Sequence, residues 1–164
     1  MRSLVLIAHD IRSTHNVGSL FRTADGFGVT HIYLSGITPY PQMFNDERLP
    51  HIIKKLANQI DKTALGSTKT IAWSYHPNIT DILVKLKKDG YKIIGLEQTK
   101  TSKLLHKFKP SDKCAILLGN EVSGISNELL KMCDDILEIK MYGKKESFNV
   151  VQAAAITLYA LREA

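Results

Sequence analysis

The sequence predicts a single α/β domain with a mostly parallel, six-stranded sheet and helices on both faces. Short apolar runs alternate six times with segments of helical spacing along the 164 residues. This alternation is typical of parallel sheets whose crossover connections are helices. No internal repeat, linker or low-complexity tract divides the chain, and its length suits one sizeable core. We therefore expect one domain over residues 1–164.

The first half of the chain supplies three strands and two helices. Apolar runs of strand length stand at 4–8, 31–34 and 70–75, and the first of these, LVLIA, is typical of a buried strand. A helix is expected from Asn16, because apolar residues recur there at i, i+3, i+4 and i+7 and two glycines follow. A second helix is expected over 50–60, since a proline stands in its first turn.

The second half repeats the pattern three more times. Helices are expected at 78–88, where Asn78 can act as the cap, at 126–132, where Ser126 can do so, and at 149–162. Strands are expected at 92–97, 114–118 and 135–139. Each strand is followed by a polar loop, as in other folds of this class.

Two connections are unusually long. Residues 36–50 contain three prolines and no clear periodicity, and residues 98–113 are rich in lysine. Loops of this length inside a compact domain are usually functional or disordered. We expect the second connection to be helical at most around 103–106.

Composition excludes several classes of protein. The net charge is +6 with a pI near 9.3, which favours binding to polyanions but also serves solubility. The two cysteines form no CxxC motif and are expected as buried free thiols. The six histidines show no metal-ligand spacing, so no metal is assigned. The longest early apolar run is too short for a membrane span or a secretion signal, so we expect a cytoplasmic protein without membrane contact.

Three polar segments each follow a predicted strand and lead into a predicted helix. They are Asn16–Ala24, Gly119–Gly124 and the loop Gly143–Asn149, which lies within the stretch Ile139–Ala160. If the strands are parallel, all three lie at the edge of the sheet where open α/β folds bind ligands.

Each segment could also have a purely structural role. Asn16, Ser147 and Asn149 are all suitable helix caps, and Asn149 with Gln152 resembles a capping box. Glu121 can be a solvated carboxylate in a turn. The glycines match neither a dinucleotide-binding fingerprint nor a P-loop, which argues against a nucleotide-binding oxidoreductase.

Taken together, the three segments resemble the motifs of the SpoU/TrmH family, RNA ribose 2'-O-methyltransferases with the SPOUT α/β-knot fold. The first motif is matched by Asn16, Gly18, Arg22, Thr23 and Ala24, and the second by Gly119, Asn120, Glu121 and Gly124. The third is matched by Ile139, Met141, Gly143, Ser147, Asn149 and Val150. The match extends from Leu4 to the C-terminus. Lys140, Phe148 and Val151 depart from the family pattern, where proline, leucine and serine are usual.

The resemblance implies a deep C-terminal trefoil knot and S-adenosyl-L-methionine as methyl donor. It also implies an RNA substrate, with tRNA favoured over rRNA, and a homodimer formed through the first and last helices. We expect no separate RNA-binding extension in a chain of this length. The donor pocket would have backbone and apolar walls from Leu96, Leu118, Gly119, Ile139, Met141 and Phe148. An rRNA 2'-O-methyltransferase and a non-catalytic, RNA-binding knotted homodimer are the alternatives.

The same resemblance assigns catalysis to Arg22, Asn16, Glu121, Ser147 and Asn149. RNA contacts are expected from Arg22 and from Lys144 and Lys145, whose position beside the site fits binding to phosphates, although such lysines can also serve solubility alone. The resemblance gives Arg22 the role of base. A guanidinium, however, is charged below about pH 12 and then has no acceptor atom. We expect Arg22 instead to bind the phosphate beside the target ribose and to stabilise charge developing on the 2'-oxygen. Glu121 and Asn16 would hold it, and Ser147 with Asn149 would position the ribose.

Overall fold

The computed structural model describes residues 1–164 and shows seven strands and six helices. The strands are β1 (Ser3–His9), β2 (His31–Ser35), β3 (Trp73–His76), β4 (Lys92–Leu96), β5 (Lys103–Leu104), β6 (Lys113–Leu118) and β7 (Asp135–Glu138). The helices are α1 (Thr14–Gly26), α2 (Pro50–Ala64), α3 (Ser67–Thr70), α4 (Ile79–Lys88), α5 (Asn127–Met132) and α6 (Val150–Glu163).

The strands form one sheet in the order β3-β2-β1-β6-β4-β7-β5, and every neighbouring pair is parallel. The prediction of a parallel α/β fold is confirmed, but the prediction of six strands is one short. The missed strand, β5, has only two residues and lies in the lysine-rich connection. Two residues are too few to show an alternating pattern, so only pairing with β7 identifies this strand.

Helices cover both faces of the sheet, as predicted. One core cluster packs α1, α2 and α6 against one face, and a second packs α4 and α5 against the other. Gly18 allows α1 and α2 to approach closely, because a Cβ there would lie 2.1 Å from the carbonyl oxygen of Ile60. Gly18 therefore serves the packing of α1 against α2.

The connection between β4 and β6 encloses the C-terminal part of the chain. It leaves β4, pairs as β5 on the far side of β7, makes a 3₁₀ turn at Leu105–Lys107 and returns to β6 on the other side of β4. The chain that continues from β7 into α6 thus passes through this connection, as the expected trefoil knot requires. None of the helices is long and apolar enough to span a bilayer.

The long connection between β2 and α2 is ordered by a local ion pair. Arg48 donates to both carboxylate oxygens of Asp46 and to the carbonyl oxygens of Tyr40 and Pro41. The Asp46 side chain is 3% exposed, and the hydrogen bonds from Arg48 hold its pKa far below the usual range against the effect of burial. These contacts join the two ends of the loop, since Arg48 lies next to α2 and Tyr40 follows β2.

Candidate active site

A cavity of about 560 Å³ lies at the edge of the sheet where β4, β6 and β7 end. We call it the first cavity. The loop that precedes α6 closes one side of it, and the segment after β6 closes another. The parallel strand order brings these carboxyl ends together.

All six residues expected to form a pocket line the first cavity: Leu96, Leu118, Gly119, Ile139, Met141 and Phe148. Leu118 is buried, whereas Phe148 is 38% exposed at the outer wall. Gly119 is required by close packing, because a Cβ there would lie 2.5 Å from the carbonyl oxygen of Gly124. Glu121, Ser147 and Asn149 also line the cavity, whereas Asn16 and Arg22 do not.

A chain of hydrogen bonds joins the three polar segments beside this cavity. The Asn149 side-chain amide donates to Asn16 Oδ1 over 3.3 Å, and the Asn16 amide donates to Glu121 Oε1 over 3.0 Å. Glu121 also accepts from the backbone N–H groups of Arg12 at 2.9 Å and Ser13 at 3.2 Å. Residues that are more than 100 positions apart in sequence are thereby held in one arrangement.

Glu121 is charged in this arrangement at neutral pH. Partial burial raises the pKa of its carboxyl group, but the hydrogen bonds from Arg12, Asn16 and Ser13 favour the charged form, and the net shift is downward. A carboxylate that accepts several N–H bonds is stabilised in this way. The charge therefore serves to fix the turn before α1 to the loop after β6.

Of the three residues in the polar segments that are suitable helix caps, only Asn149 has that role, whereas the caps expected at Asn78 and Ser126 are both confirmed. Asn149 does cap α6, since its Oδ1 accepts from the Val151 N–H over 2.9 Å. Asn16 is not a cap, because Ser13 caps α1 and Asn16 lies in the first turn with its side chain free to reach Glu121. Ser147 makes no hydrogen bond within the chain and is exposed at the cavity.

Arg22 occupies an exposed position on α1, six residues and about 9 Å along the helix axis from Asn16. Its guanidinium makes no hydrogen bond or ion pair within the chain, so the expectation that Glu121 and Asn16 hold it is wrong. Those two side chains bind each other and the backbone instead. Lys144 and Lys145 are exposed in the loop before α6. The cationic groups assigned to RNA are thus all free.

The first cavity is lined by four carboxylates and by no basic side chain: Glu97, Glu121, Glu138 and Glu146. Glu97 accepts from the backbone N–H groups of Gln98 and Ile125, and Glu138 accepts from the Ser102 hydroxyl. Glu146 alone makes no hydrogen bond or ion pair in the chain. Three of these carboxylates, all except Glu121, were not predicted from the sequence. Glu97 and Glu138 stand directly at strand ends, and this position is the sequence feature from which their place at the cavity could have been predicted.

Comparison with protein families decides the relationship of this chain. Residues 3–159 match the model of the SpoU rRNA Methylase family, and this range includes all three polar segments. The chain belongs to the SpoU family. The predicted family resemblance is thereby confirmed.

Individual members of the SpoU family are similar to this chain over nearly its whole length. A 23S rRNA (guanosine-2'-O-)-methyltransferase RlmB of Neisseria meningitidis serogroup B is 31% identical over 97% of this chain and 58% of its own length. A tRNA (guanosine(18)-2'-O)-methyltransferase of Borreliella burgdorferi is 28% identical over 96% of this chain and 65% of its own length. The chain therefore spans less than two thirds of the length of either relative.

Solved structures share the fold. The tRNA-modifying enzyme TrmH/SpoU of A. aeolicus superposes with a TM-score of 0.81 at 24% identity, covering 99% of this chain and 75% of that one. The SpoU methyltransferase AviRb of Streptomyces viridochromogenes, in complex with the cofactor AdoMet, superposes with a TM-score of 0.79 at 22% identity, covering 99% of this chain and 58% of that one. The knotted α/β architecture is thus common to these SpoU proteins.

Proposed function

We propose that this protein is a methyltransferase that uses S-adenosyl-L-methionine to methylate a ribose 2'-hydroxyl of RNA. The observation that carries the proposal is the hydrogen-bonded chain from Asn149 through Asn16 to Glu121. It unites the three family motifs at the mouth of one cavity. Both relatives described above are named as RNA 2'-O-methyltransferases.

The residues of the first cavity fit this donor in size and in charge. A volume of about 560 Å³ is in the range of small-molecule sites. Leu96, Leu118 and Ile139 offer apolar walls for a flat base, and strand-end backbone groups offer hydrogen bonds to its edge. The donor carries a sulfonium, an ammonium and one carboxylate group and is therefore a net cation. A cavity with four carboxylates and no basic side chain favours such a cation.

The bound donor supplies an activated methyl group, so the chain must mainly align the ribose and help its hydroxyl lose a proton. We assign Arg22 to the phosphate beside the target ribose and to the charge that develops on the 2'-oxygen. Asn16, Glu121 and Asn149 fix the loops, and the free hydroxyl of Ser147 contacts the ribose. Lys144 and Lys145 bind neighbouring phosphates.

For the substrate we favour tRNA over rRNA. One of the two relatives is named for each substrate, and the surface of residues 1–164 is small for a large RNA.

We propose that the domain works as a cytoplasmic homodimer through α1 and α6. On α6, Ile156 and Tyr159 are 38% and 59% exposed, which supports a covered apolar face there. Dimerisation would double the RNA-binding surface.

The test combines purified protein, methyl-labelled S-adenosylmethionine and undermodified total RNA, followed by sizing of the labelled RNA. Label in the tRNA fraction is the expected result, and label in the rRNA fraction would support the rRNA alternative. Donor binding without label in any RNA would refute the enzyme and favour the non-catalytic RNA-binding dimer. All the motif side chains that we assign to catalysis are present, which argues against that alternative.

A further inference from the structure

A second cavity of about 420 Å³ lies beside the first, between the chain that enters α1 and the ordered loop before α2. Its polar and aromatic lining residues are Arg12, Thr14, Thr38, Tyr40, Arg48 and Tyr75. None of the residues assigned above to methyl transfer belongs to it. This site was not predicted from the sequence. The sequence feature that could have indicated it is the polar segment directly after β1.

The floor of the second cavity is a rigid aromatic stack. The rings of Tyr40 and Tyr75 lie 4.0 Å apart at 23°, and the Arg48 guanidinium lies 3.7 Å from the Tyr40 centroid. Two groups so close to one ring cannot share a face, so Arg48 and Tyr75 cover opposite faces of Tyr40. Arg48 is further fixed by Asp46. This part of the wall is therefore preformed and does not need a ligand to order it.

The second cavity is rigidly connected to the first. The Thr38 hydroxyl donates to the carbonyl oxygen of Ala8 and accepts from the Ile11 N–H, at 3.0 and 3.1 Å. The next residue, Arg12, donates its backbone N–H to Glu121, which lines the first cavity. A wall residue of the second cavity is thus joined to a wall residue of the first by adjacent backbone and hydrogen bonds.

The two cavities carry opposite charge. Carboxylates line the first, and no lysine, arginine or histidine does. Two arginines line the second, and no aspartate or glutamate does. Arg48 is occupied by Asp46, whereas the guanidinium of Arg12 makes no hydrogen bond or ion pair within the chain and the residue is exposed. The free cation of the second cavity is therefore Arg12, and its natural ligand is a phosphate.

The loop around the second cavity also presents an unusual aromatic side chain. Phe44 is 95% exposed, although the neighbouring Asp46–Arg48 pair orders the loop. Phe44 belongs to the loop whose residues Tyr40 and Arg48 line the second cavity together with Arg12. An exposed ring and a free arginine are the groups with which proteins bind single-stranded nucleic acid, through stacking and phosphate contact. A solvent-exposed phenylalanine on an ordered loop has no stabilising role within the chain.

We propose that the second cavity and its loop form an RNA subsite for a nucleotide next to the one that is methylated. Arg12 binds the backbone phosphate of that nucleotide, and Phe44 stacks on an unpaired base. This inference rests on the proposed function, because it requires RNA as substrate. It adds a determinant of which RNA is chosen, since only an RNA whose flanking nucleotide is unpaired can use both contacts.

The test measures binding of undermodified tRNA by wild-type protein and by Arg12→Ala and Phe44→Ala, at several salt concentrations. Arg12→Ala should weaken binding about tenfold and lower the salt slope of log K by roughly 0.7 to 0.9, the loss of one phosphate contact. Phe44→Ala should weaken binding about fivefold without changing that slope. Lys88→Ala, an exposed cation on the opposite face of the sheet, is the charge-matched control and should change binding less than twofold.

Two further readouts distinguish loss of the RNA subsite from misfolding and from a site for free nucleotides. S-adenosylmethionine should bind all variants equally, which shows that they are folded and that the first cavity is intact. Adenosine 5'-monophosphate serves as the free-nucleotide probe and should compete only weakly with tRNA.

If Arg12→Ala weakens binding of the monophosphate but not of tRNA, the cavity serves a free nucleotide and the inference is wrong. If the wild type methylates tRNA and both variants bind tRNA as tightly as the wild type does, the subsite is refuted and the proposed function stands. A wild type that neither binds nor methylates RNA would refute both.

Discussion

Replacing Glu121 with alanine removes one end of the hydrogen-bonded chain between the three motifs, together with its bonds to the turn before α1. Its carboxylate accepts from two backbone N–H groups and from Asn16, at 2.9 to 3.2 Å. Hydrogen bonds to a charged group contribute about 1.5–3 kcal/mol each, but Glu121 is an exposed residue and solvent competes for these donors. We therefore expect a total loss of about 2 kcal/mol, which for a domain of this size lowers Tm by roughly 4–8 °C.

The pH dependence of this loss identifies its origin. The pKa of Glu121 is lowered in the folded protein from its ordinary value of 4.5. A carboxyl group with a lowered folded pKa contributes stability above its unfolded pKa, and that contribution disappears as the pH falls through the folded value. The Tm difference between wild type and Glu121→Ala should therefore be constant between about pH 6 and 8 and shrink below about pH 4.5.

Thermal unfolding followed by circular dichroism measures this difference. Glu163→Ala, which removes an exposed carboxylate without a partner at the end of α6, is the control and should leave Tm nearly unchanged. A Glu121→Ala protein with wild-type Tm at pH 7 would show that the network does not hold the motif loops together. The loops would then owe their positions to packing alone.

Three further substitutions test other parts of the site. Arg22→Lys should lower methyl transfer roughly a hundredfold at every pH, because a lysine lacks the fork geometry; recovery at raised pH would instead support a base role. Gly119→Ala should lower the free energy of unfolding by about 1–3 kcal/mol, because the new Cβ would lie 2.5 Å from the carbonyl oxygen of Gly124. Gly26→Ala is the control and should leave stability unchanged, since a Cβ there would have no atom within 4 Å. Equal Tm values for the two variants would contradict the role of close packing at Gly119. Glu146→Gln should weaken donor binding about two- to fivefold in calorimetric titration, as expected for one exposed charge, and an unchanged Kd would exclude Glu146 from the donor site.

Local patterns predicted most of the fold. Strand and helix positions followed from apolar spacing, and the strand-end residues expected to line a pocket all reached the same cavity because parallel strands end at the same edge. The strand β5 was not predictable, since its two residues form a strand only through pairing with β7. The knot came from the family resemblance alone, because no local pattern encodes how one segment passes through another.

The detailed arrangement of the site depended on contacts that are distant in sequence. Asn16 was an equally good helix cap by residue type, and only the placement of Ser13 and Glu121 decides its role. The order of the loop before α2 likewise depends on how Arg48 and Tyr75 enclose Tyr40. Residue types indicate which side chains can form a site. The distribution of charge over the site depends on the fold, which brings residues together that are distant in sequence.

The position of the transferred methyl group distinguishes methylation of the ribose from methylation of a base. RNA labelled by the protein from methyl-labelled S-adenosylmethionine is treated with alkali, and the products are separated by size and identified by mass spectrometry. A methyl group on the 2'-oxygen blocks cleavage of the adjacent phosphodiester, because that cleavage needs the free 2'-hydroxyl. We expect label in alkali-resistant dinucleotides that yield a 2'-O-methylnucleoside. Label recovered only in base-methylated mononucleotides would contradict it.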